Sequence, residues 1–233
     1  MDVLGEALKD QFLNPPADIL WVHNTYDEPE EMPIDIYFRN EKEMPELELM
    51  ALDLCRGRVL DVGAGAGSHA LVLQKRGLEV TAMDISEGAV KLMGQRGLKK
   101  VIQGDILKFG AGSGLKDKTF DTLLFMMNGI GLTGSLQGLK AFLQQIKTLL
   151  NPGGQLVFDS SDLMYLYEQV PFPERGYYGE VSFRYEYKGK KGNWFKWVYV
   201  DQKTLKDLAA ASGWKTEVIF EDEHDQYLAR LTF

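Results

Sequence analysis

Apolar and polar positions follow three different rhythms along the chain. From Arg58 onward the rhythm is that of buried strands separated by amphipathic helices. Arg58-Val59-Leu60-Asp61-Val62 is a short apolar run ending in glycines, as expected of a parallel strand covered on both faces. Similar runs occupy 79–83, 100–103, 120–127 and 155–159. The clearest helical pattern lies at 135–150, where Leu136, Leu139, Phe142, Leu143, Ile146 and Leu150 recur at i, i+3, i+4 spacing. Asn151-Pro152-Gly153-Gly154 then supplies a helix stop and a turn. Alternation of this kind predicts a parallel sheet with helices on both faces.

After Asp159 the period drops to two. Val181, Phe183, Tyr185 and Tyr187 alternate with polar neighbours, and Phe195, Trp197 and Tyr199 do likewise. Lys188-Gly189-Lys190-Lys191-Gly192-Asn193 reads as the turn of an antiparallel hairpin, with its three lysines solvated. Residues 165–200 hold twelve of the 26 aromatic residues, which sets this insertion apart from the core. A helix near 202–212 and strands near 215–220 and 226–233 follow. Ahead of Arg58 the pattern is broken. Five of the eight prolines fall in the first 50 residues, beside the acidic run Asp27-Glu28-Pro29-Glu30-Glu31. That density predicts a short helix near 2–13, an irregular arm, and a helix near 45–55.

The organisation expected is one domain, 1–233. It comprises an N-terminal cap or arm (1–57), a binding core (58–159), a substrate-side insertion (160–200) and a sheet-completing end (201–233). A length of 233 residues suffices for one large core. The lone Cys55 excludes an internal disulfide, and the start lacks the basic and apolar pattern of a signal peptide, so a cytoplasmic protein is expected. No apolar run reaches membrane-spanning length. A net charge of -8 disfavours a broad nucleic-acid footprint.

Candidate chemistry gathers at the ends of the expected strands. In Asp61-Val62-Gly63-Ala64-Gly65-Ala66-Gly67-Ser68, glycines let the backbone turn tightly and approach a ligand. A dinucleotide fingerprint needs glycines at relative positions 1, 3 and 6, and here the third falls on Ser68. Asp84, followed by Ile85, closes the next strand 23 residues after Asp61, where an acceptor-only carboxylate suits the two hydroxyls of a ribose. Asp105 follows the third strand, placed to accept from an adenine amino group while Ile106 packs on the ring. Each feature alone has an ordinary structural explanation; together they mark one binding edge.

On these residues the chain resembles class I methyltransferases that use S-adenosylmethionine, over residues 58–159 with a continuation to Phe233. The matching pieces are the Asp61–Gly67 loop, Asp84, Gly104-Asp105-Ile106, Phe120-Asp121-Thr122-Leu123-Leu124 and Leu149-Leu150-Asn151-Pro152-Gly153-Gly154. The resemblance implies a doubly wound, mostly parallel, seven-stranded α/β sheet with an antiparallel last strand. An inserted β-hairpin and an N-terminal helical arm would decorate it. It also implies S-adenosylmethionine as cofactor and S-adenosylhomocysteine as product. The methionine part is assigned to the Gly63–Gly67 loop, including Ala64, with Asp61 acting indirectly on the loop and the amino group. The ribose goes to Asp84 with Ile85 beside it, the adenine to Asp105 and Ile106, and a backbone contact beneath the sulfonium to Asn128. Tyr37 and Arg39 precede the core where such enzymes often touch the cofactor, and Arg39 suits its carboxylate.

Met126-Met127-Asn128-Gly129 departs from the tetrapeptide of methyltransferases acting on nucleobase amino groups, and no paired-glutamate loop of arginine methyltransferases is present. The acceptor expected is therefore a small molecule, bound by a monomer or homodimer. His23 is a candidate general base, and Asp159 a second candidate catalytic residue. Asp159 and Asp162 are candidates for substrate contact, but two oxygens are too few to expect a metal. His69 reads as structural. A non-catalytic S-adenosylmethionine-binding protein, a nicotinamide oxidoreductase and an aminopropyl transferase remain alternatives.

Overall fold

A computed structural model describes residues 1–108, 115, 118–167, 171 and 176–233. Residues 168–170 and 172–175 of the expected insertion, with Phe172, lie outside the described residues. The chain folds as α1 (Val3–Leu13), β1 (Leu20–His23), β2 (Glu30–Met32), α2 (Glu46–Leu54), β3 (Arg58–Val62) and α3 (Ser68–Lys75). It continues through β4 (Glu79–Asp84), α4 (Glu87–Gln95), β5 (Val101–Gln103), β6 (Phe120–Phe125), α5 (Leu136–Gln145) and β7 (Leu150–Ser161). The remainder is β8 (Glu180–Tyr187), β9 (Lys190–Lys191), β10 (Phe195–Val198), α6 (Gln202–Ala211), β11 (Lys215–Glu221) and β12 (Gln226–Thr232).

Seven strands form the main sheet in the order β11-β12-β7-β6-β3-β4-β5. β3 pairs in parallel with β4 and β6, and β6 with β7, whereas β12 runs antiparallel between β7 and β11. The mostly parallel sheet expected from sequence is thus present. Alternation along each strand divides the core between its faces. Leu60, Leu123, Leu156 and Phe158 pack toward α5 and α6, while Val59, Leu124 and Val157 pack toward α2 and α3. Asp61 and Asp159 share the parity of Val59 and Val157, so both carboxylates stand on the α2/α3 side. The helices begin where their caps dictate. The Ser86 and Ser135 hydroxyls accept from the N–H groups of Ala89 and Gly138, and Asp201 accepts from Thr204.

Two strand limits differ from expectation for backbone reasons. β6 stops at Phe125 rather than 127 because Met127 and Asn128 adopt φ of 59° and 57°, a left-handed turn no strand accommodates. Asn151-Pro152-Gly153-Gly154, expected as a turn, lies inside the long β7. There the register with β6 slips between Phe120 and Thr122.

The larger correction concerns the arm. It is not irregular between its helices. β1 and β2 form a hairpin, and β1 pairs with β8, building a second, five-stranded antiparallel sheet in the order β10-β8-β1-β2, with β9 also on β8. Isolated hairpins are marginal, so β1–β2 and β8–β10 stabilise each other. The tight turn is Lys188-Gly189, both at positive φ, and not the whole run to Asn193. Nor are the three lysines simply solvated. Lys188 reaches Asp10 at 2.7 Å and Lys190 reaches Glu6 at 2.7 Å, both on α1, while Lys191 sits 3.3 Å from Glu186. Exposed pairs of this kind add little stability, but they fix the sheet's register against α1. Beneath them Leu20 and Tyr187 pack with Val3, Ala7 and Leu8 of α1 and with Ala89 and Leu92 of α4.

Candidate functional site

The carboxyl ends of β3, β4, β6 and β7 open under one face of the second sheet. The loop after β3 holds Gly63, Gly65 and Gly67 at φ of 69°, 56° and 80°, values that glycine alone adopts without strain. Four of its N–H groups are already used. Gly63 and Ala64 donate to the Met83 carbonyl, Gly67 donates to that of Ala64, and Gly65 donates to the Asp84 carboxylate at 2.9 Å. A loop so satisfied has few donors left for a pyrophosphate, which bears against the dinucleotide alternative as Ser68 does. What it offers instead is space: a Cβ on Gly63 would meet nothing within 4 Å.

Asp84 is 8% exposed and also accepts from Ser86 N–H at 2.8 Å. Burial raises its pKa, and the Ser86 and Gly65 amides oppose that rise. With the Ile85 amide also donating, three of its roughly four acceptor sites are used and one stays open for a ligand. Ile85 beside it is 68% exposed among the described residues, an apolar face open to a ligand. Asp105 accepts from Leu107 N–H at 3.0 Å and lies 3.5 Å from Lys108, with Ile106 buried behind it.

Beneath the loop lies a buried polar cluster. Asp61 accepts from Ala70 N–H at the start of α3, a helix whose Gly67 N-cap has no side chain to do so. Asp159 accepts from Asn128 N–H at 2.8 Å and from Gln226 Nε2 at 2.8 Å. Burial pushes both carboxyls up to about 6. Each also keeps one buried oxygen without a hydrogen-bond partner, Oδ2 of Asp61 and Oδ1 of Asp159. Unpaired buried acceptors are costly, and a ligand donor is the ordinary remedy. Asn128 thus presents its backbone at the end of β6, while its side chain accepts from Ser161 Oγ at 3.1 Å. Tyr37, Arg39, Glu48, Ala64, Ser68 and His69 line a small cavity next to this cluster. Arg39 donates to Glu48, which His69 Nε2 meets at 2.9 Å.

Aromatic side chains close the opposite side. Phe195 pairs with Phe183 and Trp197 with Val181, so the two alternating sets share one face. The Trp197 indole lies where a Cβ on Gly131 would come within 2.1 Å of it, against the segment that follows Asn128. Tyr37 lies over the loop, its ring 3.2 Å from a Cβ position on Gly65, and its hydroxyl hydrogen-bonds that of Tyr185. The Phe183 ring contacts those of Phe195 and Tyr199, and Tyr26 from the β1–β2 connection meets Phe183 edge-on at 6.4 Å. Burial pushes Tyr26 up to about 12 and raises Tyr199 further, so both phenols stay neutral.

The other candidates are dispersed. His23 sits on β1 with Nε2 2.7 Å from Glu186, committed to the second sheet. Asp162 accepts from the Tyr178 hydroxyl and from Met164 N–H. Among the described residues no cluster of three His, Cys, Asp or Glu side chains suits a metal ion, and no helix is long and apolar enough to cross a membrane. Sequence reasoning missed Glu48, Gln226 and Tyr26. None lies in a motif, and Glu48 reads as one more surface acid in an amphipathic helix.

A family model described as a methyltransferase domain matches residues 59–154. A crystallised S-adenosylmethionine-dependent methyltransferase from Bacteroides fragilis, in complex with S-adenosyl-L-homocysteine, is 42% identical. That match covers 99% of this chain and 94% of that one, with a TM-score of 0.90. The CcbJ methyltransferase from Streptomyces caelestis shares the fold at 16% identity, covering 84% of this chain and 94% of that one, with a TM-score of 0.62. A tRNA U34 carboxymethyltransferase of Idiomarina loihiensis is 32% identical over 114 residues, which are 46% of this chain and 34% of that protein. The chain therefore spans about a third of the length of that curated relative. With S-adenosylmethionine as its cofactor, the chain belongs to the S-adenosylmethionine-dependent methyltransferases.

Proposed function

We propose that the chain methylates a small, largely apolar acceptor held between the glycine loop and the aromatic face of the second sheet. The carrying observation is that the aromatic face reaches the glycine loop through Tyr37, set between Tyr185 and Gly65, and reaches the segment after β6 through Trp197 against Gly131. The residues around the loop fit the cofactor: open space at Gly63, two unpartnered carboxylate oxygens, and spare acceptor capacity on Asp84. In this reading Gly63, Ala64, Gly65 and Gly67 accommodate the amino-acid part, and Asp61 governs its amino group. Asp84 receives the ribose hydroxyls, and Ile85, Asp105 and Ile106 surround the adenine. The backbone at Asn128 lies beneath the sulfonium, with Tyr37 and Arg39 at the carboxylate end. When bound, S-adenosylmethionine supplies an activated methyl group on a sulfonium.

What remains for the protein is alignment and exclusion of water, and orientation alone can save on the order of 7–11 kcal/mol of barrier. The aromatic face serves both. Neither candidate catalytic residue is needed for that work. His23 is bound to Glu186, and Asp159 stands with the cofactor residues. A compact aromatic wall and a net charge of -8 favour a small acceptor over a polyanion. The deciding experiment supplies methyl-labelled S-adenosylmethionine with a small-metabolite extract in one arm and bulk tRNA in the other. Label entering the small-molecule fraction is expected; label entering only tRNA overturns the acceptor class. S-adenosylhomocysteine as the co-product is expected, and methylthioadenosine would indicate aminopropyl transfer. S-adenosylhomocysteine at 100 times its dissociation constant should stabilise the fold by about 2.7 kcal/mol.

A further inference from the structure

A line of charge crosses the floor of the site, and neither the nucleoside contacts nor the aromatic wall accounts for it. Arg39 donates to one Glu48 oxygen, and the other meets His69 Nε2 at 2.9 Å. Both the Glu48 and the His69 side chains are 8% exposed. Beyond His69, from β3 and β7, come the fields of Asp61 and Asp159. Burial opposes charge on the imidazole, but Glu48, Asp61 and Asp159 outweigh it and hold its pKa above the ordinary value. With His69 protonated the five groups carry one excess negative charge; with it neutral they carry two. Two carboxylates buried without a cation take up a proton instead of ionising together. A protonated carboxyl presents a donor where an ammonium group needs acceptors.

We propose that His69 is a positioning residue for the amino-acid end of the cofactor: protonated and held by Glu48, it keeps Asp61 and Asp159 both ionised, each with one open oxygen for a single ammonium group. Glu48 lies on α2, so the N-terminal arm takes part in cofactor binding through His69. This inference rests on reading the glycine loop and Asp84 as the cofactor site.

The test uses two ligands, S-adenosylhomocysteine and methylthioadenosine, which shares the nucleoside but lacks the amino-acid end. Their affinities are measured by calorimetry at pH 7.5 on the full chain, its His69→Asn variant and its Glu48→Gln variant. His69→Asn should weaken S-adenosylhomocysteine about tenfold or more and leave methylthioadenosine within about twofold. Glu48→Gln should act in the same direction with a smaller effect. In the unmodified protein, the preference for S-adenosylhomocysteine should fall below about pH 6, where Asp61 and Asp159 take up protons. It should fall again at higher pH as His69 loses its proton. Equal losses for both ligands, or an unchanged preference across the variants, overturn the proposal, and Glu48→Gln keeps the test open if His69→Asn fails to fold. An unmodified protein that binds neither ligand instead refutes the cofactor-site reading beneath it.

Discussion

The two sheets solve opposite problems. In the main sheet, β3, β4 and β5 follow one another in sequence and in space, and their exits carry polar groups. The second sheet joins β1 and β2, near the start of the chain, to β8 and β10, far along it, and its inner face is aromatic. The first arrangement builds a site from local turns, so its positions follow directly from strand ends. The second closes only when remote segments meet, so it can vary its face without disturbing the turns. On the proposed reading, cofactor chemistry belongs to the local region and acceptor selection to the remote one.

Breaking the local region should have the largest effect. At Gly67, φ is 80° and a Cβ would lie 2.7 Å from Leu98 Cδ1. Gly67→Ala therefore combines backbone strain with overpacking and should cost roughly 2–5 kcal/mol. The check is a lower urea midpoint with unchanged slope.

The next effect has the opposite sign. Asp159 has a folded pKa of about 6, above its ordinary 3.8, so the folded state binds more protons between those values. Stability is lost as pH rises through that window, and the loss stays complete above it. Asp159→Asn can keep both incoming hydrogen bonds on its amide oxygen, and should regain about 3 kcal/mol near pH 7.5 but little below pH 4. Melting curves at both pH values test this, and an equal shift at each would refute the ionisation argument. The gain should come with weaker S-adenosylhomocysteine binding, as expected where a site is strained for function.

Asp84→Ala should weaken S-adenosylhomocysteine by about 1.5–3 kcal/mol, the range for hydrogen bonds to a charged group. Unchanged affinity in a folded variant would mean the ribose lies elsewhere. The smallest effect on cofactor binding belongs to the remote region. Phe195→Ala, Trp197→Ala and Tyr199→Ala should each leave S-adenosylhomocysteine affinity within about twofold while turnover falls at least tenfold. If affinity falls with turnover, the two regions are not separable and the comparison fails.

Sequence made the local region legible because its signals are short-ranged. Glycines at 63, 65 and 67 followed by Asp84 announce a turn and a strand end without reference to anything distant. The hairpin at 180–198 was visible for the same reason, since alternation and the Lys188-Gly189 turn are local. The arm was not. Leu20 to His23 is four residues long, and its partners Tyr187 to Arg184 lie more than 160 positions away, so nothing nearby distinguishes it from a loop. Proline density argued correctly against long helices but said nothing of a hairpin. His69 likewise reads as a packing residue until α2 brings Glu48 against it.

The strand order bears on how the chain is made. β11 pairs only with β12, the strand that follows it, and β12 fills the gap between β11 and β7. On the ribosome, β11 therefore emerges before it has anything to join, and the edge of β7 stays open until residues 226–232 appear. β1 waits longer still, because one of its two neighbours, β8, is synthesised after every strand of the binding core. A nascent chain arrested between β7 and β8 would hold the turns after β3, β4 and β6, an unclosed sheet edge, and an α1 whose apolar side lacks Tyr187. That interval is when the protein most needs shielding from other chains.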